Sequence, residues 1–366
     1  MVGVRRRVTL LIFTLALGGC SARTISIGFI GDLTGKQSEL GVSGRNGALL
    51  RIEQANSRAE IRGVVFGLVT EDDANKAPSF RASVDSLVAL GIPAAIGPYT
   101  SSMAELASAE QRMFFLSPTA SAESLSGRYD MLFRLVTPSS VGAKALGKKA
   151  ASALGAKTAS IIYDSDNELY AKDFIASFRA SFETAGGRVL SSASYSSSAK
   201  DLQFAPILAK LLADRPSAIL TVATGSDTAL VIRRAKQLLP GILPLASGWA
   251  ATTDFLRFGG KAMDGTMFEQ QFDPASVSPA YLDFVAAYLA RFGSMPSFSS
   301  MYSYEAAGIL LRAMARKVTP EGIKKRILAS PRVHGLQADY EFDAYGDVAR
   351  EDSVYVVRGN TYRSLQ

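Results

Sequence analysis

From residue 24 to residue 246, short apolar runs rich in β-branched residues alternate with longer stretches of helical period, and the whole pattern occurs twice. This restricts the fold more than any other feature, because strand, helix and strand in succession build βαβ units around a parallel sheet. In the first set, strands are expected at Thr24–Ile30, Val64–Thr70, Ala94–Ile96 and Met113–Leu116, with helices at Val42–Asn56, Ala77–Leu90 and Ser102–Arg112. Within the first helix, Ala48, Leu49, Ile52 and Ala55 share one face. The second set predicts strands at Ala159–Tyr163, Arg188–Ser192, Ala218–Val222 and Leu243–Ala246, with helices at Ser140–Leu154, Tyr170–Ala185, Leu202–Ala213 and Asp227–Leu239. Two sets of similar size predict two α/β lobes, first crossed near residues 134–139, where an apolar strand ends in Thr137-Pro138-Ser139. Beyond Asp264, two amphipathic helices (Pro279–Phe292 and Ser300–Lys317) precede short strands near Tyr340–Phe342 and Ser353–Val357, so further crossings are expected.

The N-terminus carries a different signal. Arg5 to Arg7 precede an apolar run from Val8 to Leu17 that is too short to span a bilayer, and Gly18 and Gly19 follow it. That layout predicts a signal peptide over residues 1–19. Leu17-Gly18-Gly19-Cys20 resembles the lipobox of bacterial lipoproteins, in which the cleaved chain begins at a cysteine carrying lipid, so the resemblance implies that Cys20 is a membrane tether. Ordinary cleavage near Ala22 is the alternative. Cys20 is the only cysteine, so an acylated chain has no thiol for a disulfide. The core must then hold the fold, and with 48% apolar residues it can. The net charge of +7 falls to +4 without residues 1–19, which hold three arginines and no acids. Scattered Lys and Arg with so small an excess argue against a nucleic-acid partner.

Several motifs fail on spacing. "GDLTGKQ" (31–37) lacks the four-residue spacer of a phosphate loop and has Gln37 where a magnesium-binding Ser or Thr should stand. Ser197 to Lys200 and Ser165-Asp166-Asn167 spell two β-lactamase elements in the wrong chain order, without Lys-Thr-Gly. One histidine, His334, cannot build a His/Cys zinc site, and no Gly-x-Ser-x-Gly elbow is present. Neither a catalyst, a metal nor a cofactor is expected.

In an open parallel sheet, ligands bind beyond the carboxyl ends of the strands, where helix N-termini converge. After Ile96, "GPYTSSMAEL" places Tyr99, Thr100, Ser101 and Ser102 at a helix start; after Leu116, "SPTASAESL" places Thr119, Ala120 and Ser121 likewise. Hydroxyls beside helix-start amides suit a carboxylate, although each could merely cap its helix. The second lobe offers Tyr170, Thr224 and the single tryptophan, Trp249, which either closes over a ligand or packs between sheet and helix.

The stretches "IGFIGDLTGKQSELGVSGRNGALL", "VTEDDANKAPSF", "AAIGPYTSSM", "FFLSPTAS", "FRLVTPSSVGAKALG" and "EFDAYGD", in that order over residues 24–350, resemble the leucine/isoleucine/valine-binding family of periplasmic solute-binding proteins. The resemblance implies the type I periplasmic-binding-protein fold, with two doubly wound lobes joined by three crossings near 134–139, 264–270 and 335–342. The lobes would comprise residues 20–137 with 269–336, and 138–268 with 337–366. It further implies a monomeric receptor that hands a small solute to an ABC permease, with Ser101 and Thr119 to Ser121 holding a carboxylate and Tyr170 closing from the other lobe. A sensing or regulatory envelope lipoprotein acting on a membrane partner is the alternative. The family's ammonium-binding acid has no counterpart in "GWAATTD" (248–254); Asp166, Asp227 and Glu269 are the possible substitutes.

Overall fold

The computed structural model describes residues 22–359 and 361–365. The expected signal segment and Cys20 lie outside the described residues. Among those described, no helix is long and apolar enough to cross a membrane.

Five parallel strands form the first sheet: β1 (Arg23–Gly31), β2 (Val64–Asp72), β3 (Ala94–Ile96), β4 (Phe114–Ser117) and β5 (Leu132–Arg134), in spatial order β2-β1-β3-β4-β5. Helices cover both faces, so β3 and β4 are buried throughout, and only Ser117 at the end of β4 interrupts their apolar runs. The helix Ser38–Ser57 packs against Phe298–Ala313, and the latter buries nearly its whole circumference. Glycines allow the close approach: a Cβ on Gly47 would overlap the Ser300 carbonyl, and one on Gly44 the Tyr99 ring.

The second sheet has seven strands. These are β6 (Thr158–Asp164), β7 (Arg188–Tyr195), β8 (Ala218–Val222), β9 (Leu243–Ala246), β10 (Met267–Gln270) and, after the β11–β12 ribbon (Arg332–Val333, Tyr340–Glu341), β13 (Ser353–Arg358) and β14 (Thr361–Ser364). The order is β14-β13-β10-β9-β8-β6-β7. Strands β6 to β10 run parallel, whereas β13 and β14 add antiparallel at one side.

The chain leaves the first lobe between β5 and the Ser139–Ser152 helix. Two later passages differ from expectation. β10 pairs with β9 and β13, so Glu269 and Gln270 belong to the second sheet and the return begins after residue 270, not at 269. Residues 340–348 still pack on the first lobe: Phe342 lies against Phe133, the Arg134 N–H donates to the Gly346 carbonyl, and the Arg134 guanidinium pairs with Asp347 at 2.6 Å. The last passage is therefore 349–352, not 335–342. Hydrogen bonds tie the three passages together. Thr137 N–H donates to Gln271 Oε1 at 2.9 Å, Gln271 Nε2 donates to the Thr137 carbonyl at 3.1 Å and to Asp352 Oδ2 at 3.3 Å, and the Arg350 N–H donates to Thr137 Oγ1.

Candidate functional site

The carboxyl ends of β3, β4, β6, β9 and β10 face one interlobe cleft, and their loops enclose a cavity of about 70 Å³. Tyr99, Ser101, Thr119, Ser121, Tyr170 and Trp249 all line it. Its first-lobe wall is built on the helix Ser101–Ser108, which Thr100 caps by accepting the Met103 N–H at 3.4 Å. Ser101 is 1% exposed, and its Oγ accepts the N–H groups of Ser121 (3.2 Å) and Ala122 (3.1 Å). With both lone pairs so engaged, the hydroxyl has its proton left to donate. It sits where the helix dipole favours negative charge. Thr119 Oγ1 donates to the Tyr99 carbonyl at 2.5 Å, which locks the two loops to one another.

Three expected residues stand elsewhere. Ser102 joins the lobes: its N–H donates to Asn167 Oδ1 at 3.2 Å and its Oγ accepts the Leu169 N–H at 3.4 Å. The Ala120 N–H is already taken by Ser117 Oγ at 3.2 Å, and Ala120 is not among the residues that line the cavity. Thr224 caps the Gly225–Leu238 helix through the Asp227 N–H and lines a neighbouring cavity instead.

The second-lobe wall is aromatic. Tyr170 meets Trp249 edge to face, with ring centroids 5.6 Å apart, and Trp249 is 7% exposed. Its indole Nε1 is buried without a partner among the described residues. Burial, reinforced by the neighbouring Glu269 charge, holds the Tyr170 phenol well above its usual range and hence protonated as a donor.

The floor comes from the hinge. Glu269 is 6% exposed; Oε1 accepts the Gly248 N–H at 2.7 Å, while Oε2 has no partner among the described residues. Asp352, on the last passage, lines the same cavity. A Cβ built on Gly142 would overlap Glu269 Cγ and stand 3.1 Å from Asp352 Oδ1, so the two acids flank one glycine. Gly248 is likewise required, since a Cβ there would overlap the Glu269 carbonyl oxygen. Burial first, then backbone bonding from Gly248 opposed by the Asp352 charge, leaves the Glu269 carboxyl well above the ordinary range. Burial likewise lifts Asp352 from 3.8 to about 7, against a small opposing effect of Gln271. Of the three acids weighed from sequence, only Glu269 reaches this cavity. Asp166 is held by Ser196, Ser197 and Ser198, and Asp227 accepts from the Tyr195 hydroxyl. Sequence reasoning missed Asp352, which precedes the antiparallel β13, and Gln271, which follows β10, a strand the sequence did not reveal.

A cavity with one anion-seeking wall, one aromatic wall and a floor of uncompensated carboxyls can hold a small molecule bearing both charges. The periplasmic binding protein family model matches residues 24–362. The chain is 22% identical over 360 residues, 95% of its length and 94% of the relative's, to the leucine-, isoleucine-, valine-, threonine-, and alanine-binding protein of Pseudomonas aeruginosa. Its fold resembles the branched-chain amino acid transporter substrate binding protein LivJ of Streptococcus pneumoniae in complex with isoleucine (TM-score 0.83, 20% identity, 93% of this chain and 98% of that one). It is equally close to an ABC transporter solute binding protein from R. palustris in complex with benzoate (TM-score 0.83, 16% identity, 94% and 96%).

Proposed function

Since the chain belongs to the periplasmic binding protein family, and so is an extracytoplasmic solute-binding protein rather than an enzyme, we propose that it captures a zwitterionic solute of the α-amino-acid class. The observation that carries this reading is the pairing, in one cavity, of the Ser101 hydroxyl at a helix N-terminus with the unpartnered Glu269 Oε2 beside Asp352. A carboxylate meets the first group and an ammonium the second. Either half alone would leave one wall uncompensated, at a cost of about 1–3 kcal/mol per unpaired group. Tyr170 and Trp249 would cover the solute from the second lobe as the hinge closes. We further propose that the closed receptor delivers its solute to an ABC permease and is tethered through a lipid on Cys20.

The discriminating experiment is calorimetry with leucine, its deaminated acid 4-methylvalerate, its decarboxylated amine 3-methylbutylamine, and benzoate, after a screen of the amino acids identifies the best side chain. The zwitterion is expected to bind at least about a hundredfold more tightly than either half, from roughly 3 kcal/mol of lost pairing. Tight benzoate binding with no affinity for any amino acid would overturn the assignment.

A further inference from the structure

Leu40 and Trp249 each line two cavities. Beyond them lies a second interlobe space of about 60 Å³, bounded by residues 36–40 of the first lobe and by Thr224 to Ser226 of the second. Its near wall is the "GDLTGKQ" loop, whose spacing excludes phosphate binding. Gln37 is 2% exposed, and neither Oε1 nor Nε2 of its side chain has a partner among the described residues. Its backbone N–H donates to Asp32 Oδ2 at 3.0 Å, so the residue is anchored while its amide is uncommitted. The neighbouring carboxylate is committed: Glu39 Oε1 accepts from Thr253 Oγ1 at 3.0 Å and from the Asp254 N–H at 3.1 Å, across the cleft. The 14-residue helix Gly225–Leu238 also starts at this cavity.

An uncommitted amide presents one donor and one acceptor side by side in a plane. A carboxamide or ureido group matches both at once, through two parallel hydrogen bonds. A carboxylate would set an acceptor against Oε1, and an alkyl group would leave both atoms unpaired. We infer that the solute is an amino acid whose far end carries a carboxamide or ureido group, which reaches past Trp249 and pairs with Gln37. This rests on the zwitterion reading, with the α-carboxylate and ammonium held in the first cavity.

The test is calorimetric titration of glutamine, citrulline, norleucine and glutamate into the purified protein and into Gln37→Leu. In the wild type, glutamine or citrulline should bind at least tenfold more tightly than norleucine, with glutamate weaker still; this comparison needs no variant. Gln37→Leu should bring the amide solutes to the norleucine level while norleucine changes less than threefold. The empty variant should melt no lower than the wild type, because leucine leaves no polar atom unpaired. Norleucine binding as tightly as both amide solutes, or losing as much as they do in Gln37→Leu, would overturn the inference and leave the zwitterion reading intact. Failure of all four solutes to bind would overturn the inference, and the zwitterion reading falls with it only if no amino acid in the wider screen binds either.

Discussion

Replacing Asp352 by asparagine should stabilise the empty protein at alkaline pH while weakening its hold on solute. The Asp352 carboxyl is lifted from 3.8 to about 7 by burial. At about 1.4 kcal/mol for each tenfold in the protonation constant, this amounts to about 4 kcal/mol. Asp352 keeps part of its surface open to the cleft, so solvent screening halves the figure to about 2 kcal/mol. A carboxyl with a raised native value takes up its proton more readily when folded. Its favourable contribution is therefore complete below about 3.8 and is lost as pH climbs through about 7. Asparagine carries no such dependence. The melting temperature of Asp352→Asn should lie close to that of the wild type at pH 4 and exceed it by about 3 °C at pH 8, given about 2 cal/mol/K of unfolding entropy per residue. Melting followed by circular dichroism from pH 4 to 8.5, without solute, measures the gap. A variant less stable than wild type at pH 8, or a gap that does not grow with pH, would show the charge to be compensated in the empty cleft and refute the reasoning.

Arg134→Met should lower stability by about 3–5 kcal/mol in urea denaturation, because the buried guanidinium donates to Asp347, the Ala122 carbonyl and Ser126 Oγ, and its loss strands the carboxylate. Ser101→Ala should weaken amino-acid binding about tenfold to a hundredfold by calorimetry. Leaving the Ser121 and Ala122 N–H groups unpaired should cost a further 1–3 kcal/mol or so in stability.

The strands β3, β8 and β9 stand in the sequence at their observed limits, because segments covered on both faces are almost wholly apolar, Thr221 being the exception. β10 was not legible. Met267–Gln270 is four residues long and ends in Glu269 and Gln270, whose polar ends serve the cleft rather than the core. The helix Pro320–Leu328 escaped for a related reason: its Gly322, Lys324, Lys325 and Arg326 dilute the apolar period to Ile323 and Ile327. The rule that ligands sit beyond strand ends named Tyr99, Ser101, Thr119, Ser121, Tyr170 and Trp249, all of which line the interlobe cavity. It could not find Asp352, which enters on a hinge passage more than eighty residues after Glu269, nor choose Glu269 over Asp166 and Asp227. Only the β10–β13 pairing brings the two acids together, and that register is a property of the assembled sheet.

Both lobes are discontinuous in the chain. The first is incomplete without the Phe298–Ala313 helix, which fills the space beside Ser38–Ser57, and the second without β13 and β14, contributed by the last residues described. During vectorial synthesis, roughly the first three hundred residues thus emerge before either core can close. A nascent chain in that condition holds no finished domain, and it reaches its native packing only after β13 and β14 have emerged.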